Sequence, residues 1–281
     1  MNRTAWAALA VTAAIAALVV AAGNRASFFG GPGVRTTTHR APLGDVRRLE
    51  VALRMGAGTL TVRTTDGDSA YEATITQSEL FNTEVGFRDG RLRIADRVPR
   101  RLGLSLTNEW TVALNRRVPI DLEASTGAGR GTFDLTGLSG SAEITAGAGQ
   151  VRVEFTAPGG AVKALEFRGG VGKFEAVGLG NAGAEEIEVR AGVGEFHLDF
   201  SGEGRRTTRV EVRGGVGRME LVIPDGLGVR IKARGGVSRL RLVGFKQVSD
   251  DEYVNDAWKS ATARLEVSAS LGVGEFVVSG R

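Results

Sequence analysis

Arg168-Gly-Gly-Val-Gly-Lys173 sets a glycine-rich turn between two cations, the residue types that cradle a phosphate. A phosphate loop needs Gly-Lys-Ser/Thr opening a helix, whereas Lys173 runs into Phe174-Glu175-Ala176, an alternating strand pattern. Glu195 and Arg218 replace Lys173 in two further copies of the block, so the position is not kept for an anion. His197 with Glu175 and Glu220 is a second candidate, since all three fall five residues after a glycine core. Glycoside hydrolysis uses two carboxylates about 5 to 9.5 Å apart, one of them in surroundings that raise its pKa. A solvent-facing ladder supplies the spacing without those surroundings. The third candidate is Arg168, Arg190, Arg213 and Arg234, each two residues before a core. Stacked at the ~4.8 Å spacing of adjacent strands, they would form a ladder able to grip a repeating anionic polymer such as an envelope glycan. Glu123, Glu143, Glu166, Glu188 and Glu211 stand two residues earlier again. The plainer reading is therefore a solvated face on which opposite charges relieve each other. Cysteine is absent and His39 and His197 are the two histidines, so no metal site or cofactor is expected, and with the carboxylates read as a solvent-facing ladder no catalytic residue is expected either.

The elements that must carry these residues are read from a repeat. Cores of the Gly-x-Gly type begin at Gly56, Gly127, Gly147, Gly170, Gly192, Gly215 and Gly272, with a Gly-Val-Ser variant at Gly236. From 127 to 236 they step by 20, 23, 22, 23 and 21 residues, the length of one turn of a β-solenoid. Apolar or small residues recur five and three before each core, one after, and four and six after, as in Leu165, Phe167, Val171, Phe174 and Ala176. Alternation on each side marks half-buried strands, and the broken period across the core demands a bend. Gly170, Gly172, Gly192, Gly194, Gly215, Gly217, Gly272 and Gly274 are read as turn glycines, with Val171, Val193 and Val216 expected inside. The fold class is all-β: a single-stranded, β-helix-like solenoid with an N-terminal hydrophobic helix.

The 281 residues divide into three parts. Residues 1–23 hold an 18-residue uncharged apolar run, Ala5 to Ala22, read as a membrane anchor or a cleaved signal peptide. Arg25, Arg35 and Arg40 after it outnumber Arg3 before it, which weighs against export under the positive-inside rule. Residues 24–42, rich in Gly, Pro, Thr and Arg, read as a flexible linker. Residues 43–281 read as the solenoid, with hairpins or a wider rung around Asp66-Gly67 and Asp89-Gly90, a basic loop at Arg97 to Arg101, and an end cap in the insertion Val248 to Ala261. The net charge of +4 is spread through the chain, which argues against nucleic acid as a partner. The expected partners are an anionic envelope polymer or another envelope protein, with the membrane itself engaged through residues 5–22 if they are retained.

Leu53-Arg-Met-Gly-Ala-Gly-Thr-Leu-Thr-Val62, Val118-Pro-Ile-Asp-Leu122 and the closing Leu271-Gly-Val-Gly-Glu-Phe-Val-Val278 together resemble bacterial toast-rack and adhesin-like β-strand-repeat proteins. They are also similar to the C-terminal domain of LiaF-like envelope-stress proteins. The resemblance runs from about Val46 to Arg281. It implies a β-solenoid near a membrane, with no catalytic residues to carry over. The function expected is a noncatalytic envelope scaffold, adhesin or stress-signalling module on the extracytoplasmic face of the cytoplasmic membrane. The alternative is a polysaccharide-active enzyme on a β-helix.

Overall fold

The computed structural model describes residues 33–97, 106–204, 206–235 and 238–280. The N-terminal apolar segment, most of the basic loop and the centre of the Gly236 core lie outside them. Among the described residues no helix is long and apolar enough to cross a membrane.

The chain is a β-solenoid whose rungs are strands folded at a glycine corner. β1 (Val34–Pro42), β2 (Leu49–Thr65), β3 (Ser69–Ser78), β4 (Asn82–Arg88), β5 (Arg91–Arg97) and β6 (Asn108–Asn115) build one end. β7 (Ile120–Asp134), β8 (Ser139–Glu154), β9 (Ala161–Val177) and β10 (Glu186–Asp199) are the central rungs, each one continuous strand bent at its corner. Beyond them lie β11 (Thr208–Arg213) with β12 (Val216–Ile223), β13 (Gly228–Gly235) with β14 (Ser238–Leu242), the hairpin β15 (Phe245–Ser249) and β16 (Glu252–Asn255), and β17 (Arg264–Leu271) with β18 (Val273–Gly280). The halves before the corners pair in parallel as sheet I and the halves after them as sheet II. Alternation sends one face of each sheet inward. Leu165 and Phe167 of sheet I meet Phe174 and Ala176 of sheet II in a single core, with the Phe167 and Phe174 rings 4.9 Å apart and Phe174 stacked 5.8 Å from Phe196. Each such buried side chain is worth roughly 1.5–3 kcal/mol, which offsets the cost of ordering so much strand.

Stack order is not chain order. β17 and β18 lie between β11/β12 and β13/β14, so Gly272 stands over Gly215. At the other end β2 lies between β5/β6 and β7. The hairpin β15–β16 covers sheet I at β13. β4 covers β5 through a turn in which Asp89 and Gly90 both have positive φ, 50° and 78°, the geometry of a two-residue hairpin.

Two expectations need correction here. The linker does not extend to Pro42, because Val34–Pro42 is an edge strand antiparallel to β3, with the hydroxyl pairs Thr36–Thr76 at 3.0 Å and Thr38–Thr74 at 3.4 Å. An outer strand held by a threonine ladder carries no apolar alternation to betray it. Val171, Val193 and Val216 are not inside either; they are 59%, 49% and 52% exposed, as Val273 is at 55%. The inward position nearest the corner belongs to the residue before the first core glycine. At Gly169 an added Cβ would lie 2.3 Å from the Phe196 ring, which fills that space.

Both glycines of a core are sterically required. The second holds φ of 138° at Gly172 and 140° at Gly194, and a Cβ on either would sit 1.9 Å from a carbonyl oxygen of the preceding corner. A Cβ on the first would sit 2.1 Å from such an oxygen at both Gly170 and Gly192. The corner between β5 and β6 is closed differently. Asp96 accepts the Gly56 amide and the Asn108 Nδ2–H, each at 2.8 Å, and Asn108 Oδ1 accepts Trp110 Nε1–H at 2.9 Å.

Gly194→Ala is expected to cost about 3 kcal/mol or more, and Val193→Thr to stay within about 0.5 kcal/mol of the parent. Chemical denaturation of the two variants checks this; an equal loss for both would put Val193 back in the core.

Candidate functional site

The outer face of sheet I gathers the residues singled out for a polyanion. Glu123, Glu143, Glu166, Glu188 and Glu211 stand in register on successive rungs, and so do Arg168, Arg190 and Arg213. Arg234 is not the next step of that ladder: Ser270 of the inserted rung separates it from Arg213, and its Nε donates to Asp251 at 2.6 Å. Each of the three stacked arginines holds a glutamate of its own rung and one of the rung before. Arg168 bonds Glu166 at 2.6 Å and also Glu143; Arg190 bonds Glu188 at 2.7 Å and reaches Glu166 at 3.6 Å. Arg213 bonds Glu211 at 2.8 Å and reaches Glu188 at 3.4 Å. The hydrogen bond from Arg190, aided by the nearby guanidiniums, holds Glu188 below the usual carboxylate range. Towards β2 and β5 the same face forms a shallow groove of ≈ 1110 Å³ in which Arg54 pairs with Glu123, Arg91 with Glu50 and Arg48 with Asp121.

Sheet II carries two outward columns. One runs Lys173, Glu195, Arg218, Glu275, Arg239 across adjacent rungs, alternating in sign at every step. The other contains Arg152, Glu175, His197 and Glu220. Here the carboxylates have cationic neighbours: Arg152 lies 2.9 Å from Glu175, and Arg218 lies 3.7 Å from Glu220 and 3.3 Å from Glu275; His197 Nδ1 is also 3.7 Å from Glu220. The structure thus brings Glu175, His197 and Glu220 together as neighbours on an open face, each 29–31% exposed. Between the two sheets the corner valines form an exposed apolar column continued by Ala148 and Ala128.

Sequence reasoning missed the sign alternation and the outward valines. The alternation was hidden because chain order reads Lys173, Glu195, Arg218, Arg239, Glu275, and it appears only once the last rung is placed inside the stack. It also missed Asp96, whose carboxyl is pushed up by burial despite the hydrogen bonds it accepts from Gly56 and Asn108.

The family described as the N-terminal domain of toast_rack, DUF2154, matches residues 30–177, more than half of the chain. That match ends at Val177 of β9, yet pairing continues without a break into β10, from Glu186 on Ala164 to Leu198 on Ala176. A comparison with curated proteins gives no match. Among solved structures the chain is similar to a candidate cell adhesion protein from Clostridium sporogenes, at 17% identity and a TM-score of 0.43, covering 88% of this chain and 100% of that one. It is also similar to a candidate adhesin from Bacteroides fragilis, at 12% identity and a TM-score of 0.34, covering 87% and 97%.

Asp121 gives this face a pH dependence. The hydrogen bond from Arg48, with a further one from Ser141, holds its carboxyl below its ordinary value of 3.8. A carboxyl depressed by folding contributes stability that is present above its unfolded pKa and is lost as pH falls through the folded one. The thermal midpoint is therefore expected to hold down to about pH 4 and then fall. In Asp121→Asn it should start lower at neutral pH and fall less steeply in acid, as melting curves across that range would record.

Proposed function

The chain belongs to the toast-rack family, and on that footing we propose that it is a noncatalytic envelope scaffold. It is a rigid stack, held outside the cytoplasmic membrane, that presents charged sheet faces and an apolar corner edge to other macromolecules in adhesion or envelope-stress signalling. The observation that carries this reading is the mutual engagement of the ladders. Arg168, Arg190 and Arg213 each span two rungs of glutamates, so these charges are arranged to join rung to rung. Such exposed pairs are worth about 0–1 kcal/mol each, and in register they tie each of these rungs to the one before. Glu175 and Glu220 have cationic neighbours in Arg152 and Arg218. Both carboxylates lie on an open sheet face and are taken up in ion pairs along the stack, whereas a glycosidase sets its two carboxylates on either side of a bound sugar. Asp96, the carboxyl that burial does push up, is bound to Gly56 and Asn108 and closes the first corner. The envelope location rests on the apolar run Ala5 to Ala22.

Two measurements test the proposal. With a C-terminal tag on the full chain, protease added to intact spheroplasts should remove the tag; protection of the tag would overturn the location. Replacing Arg168, Arg190 and Arg213 together by Gln should lower the thermal midpoint at low salt, and lower it less at high salt, where such pairs are already screened. Retention on an anionic cell-wall polymer should be unchanged. Loss of that retention would make the arginine ladder a polymer-binding site instead.

A further inference from the structure

Three of the four sheet ends of the stack finish on strands added antiparallel to their neighbours, and one end is different. Sheet I ends on β4 at one side and on the hairpin β16–β15 at the other, all antiparallel additions. Sheet II begins with the antiparallel pair β3 and β1. At its far end it stops on β14, a parallel rung paired with β18 on one side from Ser238 on Gly274 to Leu242 on Val278. Among the described residues no strand pairs with its other side.

The side chains of β14 fit an incomplete end. Its inward residues Leu240 and Leu242 are only partly buried, whereas their counterparts one rung in, Phe276 and Val278, are 1% and 0% exposed. Val243, next along the chain, is 53% exposed. Its outward residues are Arg239 and Arg241, both exposed and with no ion pair to a described carboxylate. Arg239 is the last member of the column Lys173, Glu195, Arg218, Glu275, Arg239, in which every neighbour has the opposite sign. The next place in that column calls for an acid.

We propose that the open edge of β14 takes up an extended, acidic segment of a partner protein as the next rung of sheet II. Main-chain hydrogen bonds to the free edge supply affinity, as in other strand additions, and alternate side chains supply specificity. Apolar residues of the segment would cover Leu240 and Leu242, and carboxylates between them would face Arg239 and Arg241. A second copy of this chain is a poorer occupant. Two β14 edges set antiparallel would bring Arg239 against Arg241, and the outer face of the free β1 edge offers Arg40 beside Thr36 and Thr38, with no carboxylate. Like charges in direct opposition across strands are destabilising.

The edge is present whichever side of the membrane the chain occupies, so its test reads binding and is separate from the location test above. The probe is a fluorescein-labelled peptide with the β18 sequence Val273–Gly280 carrying Val277→Glu, which places carboxylates opposite both arginines. Fluorescence anisotropy with the full-length chain in mild detergent should show saturable binding. Arg239→Glu with Arg241→Glu should weaken it at least about tenfold, the equivalent of two surface charge pairs turned from attraction to repulsion. The same peptide with Lys at both acidic positions should bind the reversed variant and not the parent. Circular dichroism confirms that the variant keeps its strands. Absence of binding, equal binding of the acidic and basic peptides by the parent, or indifference to the double reversal would each overturn the proposal. Self-association of the parent that is abolished by the double reversal would overturn it in favour of a second copy.

Discussion

The contact on which this molecule depends is made by backbone alone: at every full corner, carbonyl oxygens of one rung occupy the space where a Cβ of the next would stand. At the second glycine of the core that hypothetical atom would lie between 1.8 and 2.0 Å from the oxygen, from Gly129 through to Gly274. No rotamer relieves such a clash, because both partners are main chain. From β7 to β12 and at β17–β18, glycine at both ends of the core is therefore a condition of stacking at strand spacing, and the x residue between them is pushed to the outside of the bend. Register follows. Once corner sits on corner, the inward columns of Phe and Leu and the outward columns of charge are set in line without further instruction.

Charge follows the same register. Sheet I keeps like residues in line and neutralises them sideways, with each arginine reaching a glutamate of its own rung and one of the rung before. Sheet II neutralises along the column, with sign reversing from Lys173 to Arg239. Like charges in direct opposition destabilise strand pairs: the second scheme avoids that opposition, and the first sets like charges opposite one another and offsets them with arginine–glutamate pairs within and between rungs. The second leaves a definite sign at its free end, whereas the first leaves none. Local pairing thus carries information to the stack's boundary.

Much of this was readable from the residues. The period of two in Leu165, Phe167 and in Phe174, Ala176 identified four of the inward positions, and all four are filled as that pattern requires. The corner itself misled, because parity is carried by side chains and Gly169 has none. Its inward place is occupied by the ring of Phe196 from the next rung, so the count across the bend appears to land on Val171. β1 was hidden for a related reason, since a threonine-laddered edge strand has no apolar face to alternate. The misplacement of Arg234 had another origin. Spacing along the chain says which residues are equivalent, but it does not say in which order equivalent rungs are laid down, and Ser270 enters the column from downstream.

That order has a consequence for assembly in time. β13 and β14 are synthesised before β17 and β18, yet in the finished stack they touch β11 and β12 only through them. Growth that proceeds rung by rung as the chain emerges can run from β7 to β12 and then must pause, because the next strands made have no place to dock. The segment from Gly228 to Asn255 waits until the later pair slides in beneath it, so closure of this end is a long-range, late and cooperative event in a molecule whose middle is built almost wholly from neighbours. Shortening the chain from its C-terminal side would remove an inner rung and strand an outer one, so the last part of the sequence acts as a keystone.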